Sequence, residues 1–144
     1  MEEREVGQVT IYNPAALSPP VGFAHAAAAR GFVFLGGQIG SDASGTILHP
    51  GDIVAQFRQA IGNVRTALEA AGCTPGDVVK LTYFVTDVAA YRAALGPIGT
   101  AYREIFGKRY PATSLFEVKG LFDPAAMIEI ECIAVQPNIP KEKE

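Results

Sequence analysis

Near its C-terminus the chain reads Met127-Ile128-Glu129-Ile130-Glu131-Cys132-Ile133-Ala134-Val135, a run with period-two alternation. Alternate side chains of a β-strand point to opposite faces, so Ile128 and Ile130 share an apolar face while Glu129 and Glu131 share the other. A strand rise of about 3.4 Å per residue puts the two carboxylates about 7 Å apart. The apolar face needs a covering layer. The charged face is either ordinary solvated surface or the wall of a polar cleft.

The other segments predict an α+β domain with the element order β-β-β-α-β-α-β-β. The most regular helix runs between Asp52, a predicted N-cap, and Gly72, a predicted C-terminal cap residue. Gly96-Pro97 separates a short helical turn near 88–94 from a second helix that Gly107 closes. The six predicted strands span 9–12, 23–26, 32–39, 79–86, 113–119 and 127–135, with a turn at Arg30-Gly31.

The composition fits one compact domain of 144 residues, because 49% of the residues are hydrophobic and 19% are charged. Residues 1–7 and 137–144 are expected to be flexible ends. A net charge of −3 and a pI near 5.4 argue against a nucleic-acid surface. No apolar run approaches the ~20 residues of a membrane span, and the acidic N-terminus is unlike a secretory signal. We therefore expect a cytoplasmic protein that binds neither nucleic acid nor membrane.

The two cysteines, Cys73 and Cys132, are expected to be reduced, since neither lies in a CxxC pattern or beside a histidine. The same absence of clustered ligands excludes a structural zinc site. The sequence thus predicts no metal site.

Two helices can cover only one face of the predicted sheet. The opposite face is expected to carry Phe34, Phe84 and Leu115, which is too apolar for bare surface. This imbalance predicts an oligomer whose sheets meet through their uncovered faces. Ser114 is predicted on the apolar, helix-facing side of its strand and lacks a nucleophile-elbow pattern, which argues against serine hydrolysis.

Gly36-Gly37 and His25 each have two interpretations. The glycine pair, inside a predicted strand, indicates either a β-bulge or the close approach of another group. His25 is either a general base, since neutral imidazole can accept a proton near pH 7, or a histidine whose ring nitrogens are satisfied by hydrogen bonds. The second interpretation is favoured because no carboxylate lies near it in the sequence.

An ordered set of motifs resembles the RidA/YjgF family from about Asn13 to Val135. The motifs are Gly36-Gly37-Gln38-Ile39, Gln56 and Asn63 with Leu68-Glu69-Ala70-Ala71-Gly72, Asp77-Val78-Val79-Lys80, Phe84-Val85-Thr86-Asp87, Tyr102 with Phe106, Pro111-Ala112-Thr113-Ser114, and Ile128 to Ala134. The resemblance implies a single RidA-like domain with a chorismate-mutase-like fold, a mixed six-stranded sheet with two helices on one face. It also implies a homotrimer with a central β-barrel and small-molecule clefts between subunits.

Characterised members of that family are enamine/imine deaminases, which hydrolyse reactive 2-imino acids to 2-keto acids and ammonia without a metal or organic cofactor. In them, an arginine in a Pro-Ala-Arg-Ser motif holds the substrate carboxylate, and the first glutamate of Glu-Ile-Glu positions a water. By resemblance, that glutamate is Glu129, the predicted catalytic residue. The predicted ligand-binding residues are Phe23, Gly36, Gly37, Gly99, Thr113, Ser114 and Leu115.

This chain departs from the family pattern where the substrate carboxylate should bind. Thr113 replaces the arginine, and Arg109 lies four residues earlier, about 13 Å away in an extended chain. Phe23, Gly36, Gly99 and Leu115 replace a tyrosine, a serine, an asparagine and a cysteine of the family. Three functions follow as hypotheses: hydrolysis of imines or enamines with a non-standard substrate, a non-catalytic metabolite-binding or chaperone-like trimer, and, weakest, a ribonuclease or translation inhibitor.

Overall fold

The computed structural model describes residues 2–137, which form one mixed sheet with its helices on one face. The strands are β1 Glu2–Val6, β2 Val9–Asn13, β3 Ala26–Ala29, β4 Phe32–Ile39, β5 Val78–Val85, β6 Ala112–Glu117 and β7 Ile128–Val135. Their order across the sheet is β1-β2-β3-β4-β7-β5-β6. Only the β5–β6 pair is parallel among these neighbours. The strand opened by Ile128 is therefore central, between β4 and β5.

Three α-helices follow the predicted pattern: α1 Ile53–Ala70, α2 Val88–Ala93 and α3 Leu95–Phe106. The Asp52 side chain accepts a hydrogen bond from the Ala55 N–H at 3.0 Å, which confirms it as the N-cap of α1. Gly72 has a φ of 78°, as expected for a residue just past a helix C-terminus. A 3-10 turn, Pro75–Asp77, leads into β5.

The hydrophobic core lies between α1, α3 and the covered sheet face. Its fully buried side chains come from α1 and from the apolar positions of β4, β5 and β7; the largest are Phe57, Ile61, Leu68, Leu81, Ile128 and Ile130. The alternation in β7 is the predicted one, with Ile128, Ile130, Cys132 and Ala134 buried. The fold class inferred from the sequence is confirmed.

The structure differs from the prediction at the N-terminal strands. The six predicted strands are present as β2 to β7, and Glu2–Val6 adds a seventh, where a charged lead-in was expected. Antiparallel pairing with β2 supplies its backbone hydrogen bonds, so this edge strand needs no apolar pattern. The predicted strand at 23–26 begins instead at Ala26, leaving Phe23 in the preceding loop. From residue 138 onward, the predicted C-terminal end lies outside the described residues.

The sheet face away from the helices carries exposed aromatic rings. Phe32 and Phe34 are about half exposed on β4, and Phe116 on β6 stacks on Phe84 of β5 with ring centroids 6.1 Å apart. We call this surface the open face. None of the helices described between residues 2 and 137 is long and apolar enough to cross a bilayer.

Candidate active site

A cavity of about 670 Å³ lies at the edge of the open face, where the loop before β3 and the loop before β7 meet β4. We call it the glutamate pocket. It is lined by Ser18, Val21, Phe23, Ala24, His25, Gly36, Gly37, Gln38, Ile39, Ser41, Gly45, Phe122, Asp123, Pro124 and Glu129. Four of the predicted site residues, Phe23, Gly36, Gly37 and Glu129, therefore lie together.

The Glu129 carboxylate lies directly over Gly37. A Cβ atom at position 37 would lie 2.4 Å from Glu129 Oε2. Any side chain at this position would therefore displace the carboxylate. The β4–β7 register also shifts between Leu35 and Gln38, so the glycine pair forms an irregularity in the strand as well. Both interpretations of Gly36-Gly37 are correct. The strand is irregular at this point, and the absence of a side chain at Gly37 leaves room for the Glu129 carboxylate.

The pKa of Glu129 is raised above its ordinary value of 4.5, first by burial and second by the negative charge of Glu131. Glu129 is half-buried, whereas Glu131, two residues further along β7, is exposed and does not line the pocket. A carboxylate with a raised pKa is a better proton acceptor near neutral pH. Glu129 is thus the acidic group of this pocket that is suited to accept a proton from water.

His25 forms part of the pocket wall and is only 3% exposed. Its Nε2–H donates to the Ser18 carbonyl at 2.7 Å, and the Gln38 amide donates to Nδ1 at 3.0 Å. A carbonyl can only accept, so this pattern is that of the neutral ring with its proton on Nε2. Because both ring nitrogens have partners, the favoured interpretation of His25 as a satisfied histidine agrees with the structure.

Phe23 stands at the rim of the glutamate pocket. Its ring contacts the His25 ring edge to face, with centroids 5.3 Å apart, and 54% of the residue is exposed. Val21 and Phe122 are also largely exposed at this rim. The entrance to the pocket is therefore apolar, while Glu129 lies against its inner wall.

A second cavity, of about 470 Å³, lies on the helix side of the sheet between β5, β6 and the helices α2 and α3. We call it the tyrosine pocket. It is lined by Phe57, Tyr83, Tyr91, Leu95, Ile98, Gly99, Tyr102, Arg103, Tyr110, Pro111 and Thr113. Gly99 and Thr113, two predicted ligand-binding residues, thus lie apart from Glu129 within the protomer.

Ser114 and Leu115 line neither pocket, and the predicted orientation of β6 was wrong. In the parallel pairing, Leu115 is opposite Tyr83 and packs against the core, while Ser114 is opposite Thr82 on the other side. Ser114 Oγ accepts a hydrogen bond from Lys80 Nζ at 2.7 Å. Leu115 therefore does not belong to the open face, and Ser114 does not face the helices.

Sequence reasoning missed Gln38, Asp123 and Arg103 as pocket residues. Gln38 belongs to the Gly36-Gly37-Gln38-Ile39 motif. Its alternation with Gly37 predicts a side chain on the opposite, buried face, so the strand pattern alone does not place Gln38 in the pocket. Arg103 follows Gly99 by one helical turn, so helical spacing alone places the two on the same face of α3. Asp123 lies in the loop before β7 and carried no pattern that could have identified it.

The sequence profile of the family described as Endoribonuclease L-PSP matches residues 13–136. The chain belongs to the RidA/YjgF family. Among RidA/YjgF relatives, a goat (Capra hircus) protein named 2-iminobutanoate/2-iminopropanoate deaminase is 32% identical over 127 residues, which is 88% of this chain and 87% of the relative. A RutC family protein from Haemophilus influenzae is 37% identical over 124 residues, 85% of this chain and 91% of the relative.

The fold of this RidA/YjgF member matches solved structures of its relatives. The structure of the YjgF gene product from E. coli has a TM-score of 0.76 and 30% identity, covering 88% of this chain and 98% of that one. An endoribonuclease L-PSP homologue from Entamoeba histolytica has a TM-score of 0.78 and 31% identity, with coverages of 88% and 98%. The sheet and helices described above are thus those of the family.

Proposed function

We propose that this protein hydrolyses an imine or enamine to a carbonyl compound and ammonia, with Glu129 as the residue that positions and deprotonates water. The observation that carries the proposal is the Glu129 carboxylate, held over Gly37 in a cavity and given a raised pKa by burial and by Glu131. The deaminase name of relatives near 30% identity supports the same class of reaction.

The proposed reaction begins with the imine; an enamine first gains a proton on carbon to become one. The water oxygen adds to the C=N carbon while Glu129 accepts a proton from the water, and Glu129 then gives this proton to the imine nitrogen. The carbinolamine that results then transfers its hydroxyl proton to nitrogen through Glu129, the C–N bond breaks, and ammonia leaves. Each proton that Glu129 takes is returned, so the enzyme ends in its starting state.

The neighbouring backbone suits such a reaction. Gly37 carries no side chain, so substrate and water can approach its backbone N–H closely, while the Gly36 N–H already donates to the His25 carbonyl at 2.9 Å. Donors of this kind stabilise negative charge that develops during addition and collapse. The apolar rim of Phe23, Val21 and Phe122 would limit competing water around a small substrate.

We also propose that the protein works as a homotrimer assembled through the open faces, with the clefts between subunits. Half-exposed phenylalanines on β4 and β6 support this assembly, because large apolar side chains exposed on one sheet face are typical of protein interfaces. Each cleft would be completed by residues of a neighbouring copy.

The test is ammonia release above the spontaneous rate from imines generated in the assay. An amino-acid oxidase would supply imines that carry a carboxylate, and an amine oxidase imines that lack one. Glu129→Gln is expected to reduce the catalysed rate by about a hundredfold or more, as for loss of a general base. Glu131→Gln is the matched control and should retain most of the rate. A Glu129→Gln protein that is as active as wild type would contradict the proposal.

A non-catalytic, metabolite-binding function is the second candidate, and Thr113 in place of the family arginine favours it. This alternative predicts that a metabolite raises the melting temperature but is recovered unchanged, with the same result for Glu129→Gln. A ribonuclease has less support, since the glutamate pocket is lined by Asp123 and Glu129 and by no lysine or arginine among the described residues. RNA cleavage that is lost in a single-residue variant would be needed to support it.

A further inference from the structure

Gln56 is a polar side chain within the hydrophobic core. It lies on helix α1, is fully buried, and has the buried residues Ile53 and Phe57 beside it on the same helix. Burial of an amide is costly unless its donors and its acceptor form hydrogen bonds. The partners of the Gln56 amide therefore show which parts of the chain it holds in place.

The Gln56 amide binds the loop before β7. Its Nε2 donates to the carbonyl oxygens of Ala125 at 3.1 Å and His49 at 3.0 Å, and its Oε1 accepts from the Met127 N–H at 2.7 Å. Ala125 and Met127 precede Glu129 by four and two residues. The amide thus fixes the chain just before the part of β7 that carries the carboxylate.

These hydrogen bonds act where the pairing of β7 with β4 stops. Ile39, the last residue of β4, pairs with Glu129, so Met127 lies beyond the end of β4. The Met127 carbonyl accepts from the N–H of Thr86, just past β5, at 3.1 Å. The Gln56 side chain therefore holds the start of β7 at the point where β4 no longer does.

The chain that follows β4 also packs against Gln56. A Cβ atom at Gly40 would lie 2.8 Å from both the Cα and the carbonyl oxygen of Gln56, so this contact leaves no room for a side chain. The Glu129 carboxylate lies over Gly37 of β4. One residue of α1 therefore contacts the ends of both strands that bring the carboxylate and the glycine together.

We propose that Gln56 is a positioning residue for Glu129: by holding the start of β7 against the end of β4, it keeps the carboxylate in place over Gly37. Among the described residues that line the glutamate pocket, none belongs to α1, so Gln56 acts through the backbone and touches no substrate. The inference rests on the proposed role of Glu129 as the proton acceptor. Loss of the amide would leave the Met127 N–H and the Ala125 carbonyl without this partner, and the carboxylate would move toward water.

The position of Glu129 is tested by ¹³C NMR titration of its side-chain carboxyl in the full chain. Burial is the first cause of its raised pKa, so Gln56→Met should lower that pKa toward 4.5. The other titratable groups described along the pocket, Asp123 and His25, and the neighbouring Glu131 are the same in this variant. A lower pKa would therefore report a more exposed Glu129.

Gln136→Met is the matched control. Gln136 follows β7, and its amide donates to the carbonyl of Ala71, just past α1, at 3.1 Å. The same replacement thus removes a hydrogen bond between these two elements at the far end of β7 from Glu129, and should leave the Glu129 pKa unchanged. Gln56→Asn, a second test variant, keeps an amide that is one methylene too short for all three partners, and should lower the pKa as Gln56→Met does.

Turnover provides an independent measurement. Gln56→Met should reduce kcat for ammonia release by about tenfold or more and move the acidic limb of kcat/KM to lower pH, while Gln136→Met should change neither. Loss of folded protein alone would lower the rate without moving the limb.

The proposal is overturned if the folded Gln56 variants keep the wild-type pKa of Glu129, or if Gln136→Met lowers that pKa as much. A wild-type protein that releases no ammonia would contradict the proposed hydrolysis instead, because the comparison of Glu129 pKa values does not depend on turnover.

Discussion

The glutamate pocket and the tyrosine pocket differ in charge and in the elements that build them. The first is formed by loops and the irregular part of β4, carries two carboxylates and is lined by no lysine or arginine among the described residues. The second is formed by helices and regular strands around Phe57 and Arg103, and no carboxylate among the described residues lines it. Within the protomer, the Glu129 carboxylate and the Arg103 guanidinium therefore lie in different pockets.

The largest effect should come from replacing the core residue of the tyrosine pocket. Phe57 is fully buried and its ring meets Tyr83 edge to face at 5.7 Å, so Phe57→Ala is expected to lower the free energy of unfolding by about 3–5 kcal/mol. Phe23→Ala, at the exposed rim of the glutamate pocket, should cost less than about 1 kcal/mol. Urea denaturation of both variants measures the difference. Equal losses of unfolding free energy in the two variants would contradict the expected difference between the buried residue and the exposed rim residue.

Gly37→Ala should affect function more than stability. The added methyl group would meet the Glu129 carboxylate, which lies at the end of a flexible side chain and can move. We expect ammonia release to fall by about tenfold or more, because a displaced base loses its alignment with water. Gly62→Ala is the control: no atom lies within 4 Å of its Cβ position, so helix propensity should add about 0.5–1 kcal/mol of stability. An active Gly37→Ala protein would contradict the close approach.

A charged residue introduced on the open face should dissociate the proposed assembly, whereas one introduced on another exposed surface should not. Phe34→Asp places a carboxylate among the half-exposed rings of β4, and the proposed assembly should dissociate to single chains. Leu48→Asp, an exposed apolar residue in the loop before α1, should leave the assembly intact. Sedimentation velocity distinguishes the species. A wild-type protein that sediments as a single chain would refute the trimer.

The smallest effect is a change in pH dependence. The negative charge of Glu131 contributes to the raised pKa of Glu129, so Glu131→Gln should lower that pKa and move the acidic limb of kcat/KM to lower pH. The same shift affects stability. Because the folded pKa exceeds the unfolded one, folded Glu129 keeps its proton where the unfolded chain has released it. Stability therefore falls as pH rises from 4.5 through the folded pKa, and Glu129→Gln should remove this dependence. If the acidic limb of kcat/KM stays at the same pH in Glu131→Gln, the charge of Glu131 does not influence the pKa of Glu129.

Local pattern predicted most of the fold and the Glu129 side of the site. The alternation of Ile128 and Glu129 determines which side chains of β7 are buried, and the Asp52 cap sets the start of α1. Strand β6 was harder, because Thr113 to Phe116 mixes polar and apolar residues on both faces. Its orientation is decided by the pairing of Leu115 with Tyr83, a contact that no local pattern contains.

The partition into two pockets could not be predicted from the sequence for the same reason. Family motifs place Gly99, Thr113 and Glu129 in one functional set, yet their distances depend on which sheet face each strand residue occupies. Arg103 was not predicted as a pocket residue, because the position of its guanidinium depends on the space left by Gly99. Such long-range features need coordinates.

The most direct test measures ammonia release from an enzymatically generated imine by wild type, Glu129→Gln and Glu131→Gln at matched concentrations. We predict that release falls about a hundredfold or more in Glu129→Gln and stays near the wild-type rate in Glu131→Gln. Release at the wild-type rate from Glu129→Gln would contradict the assignment of Glu129 as the proton acceptor.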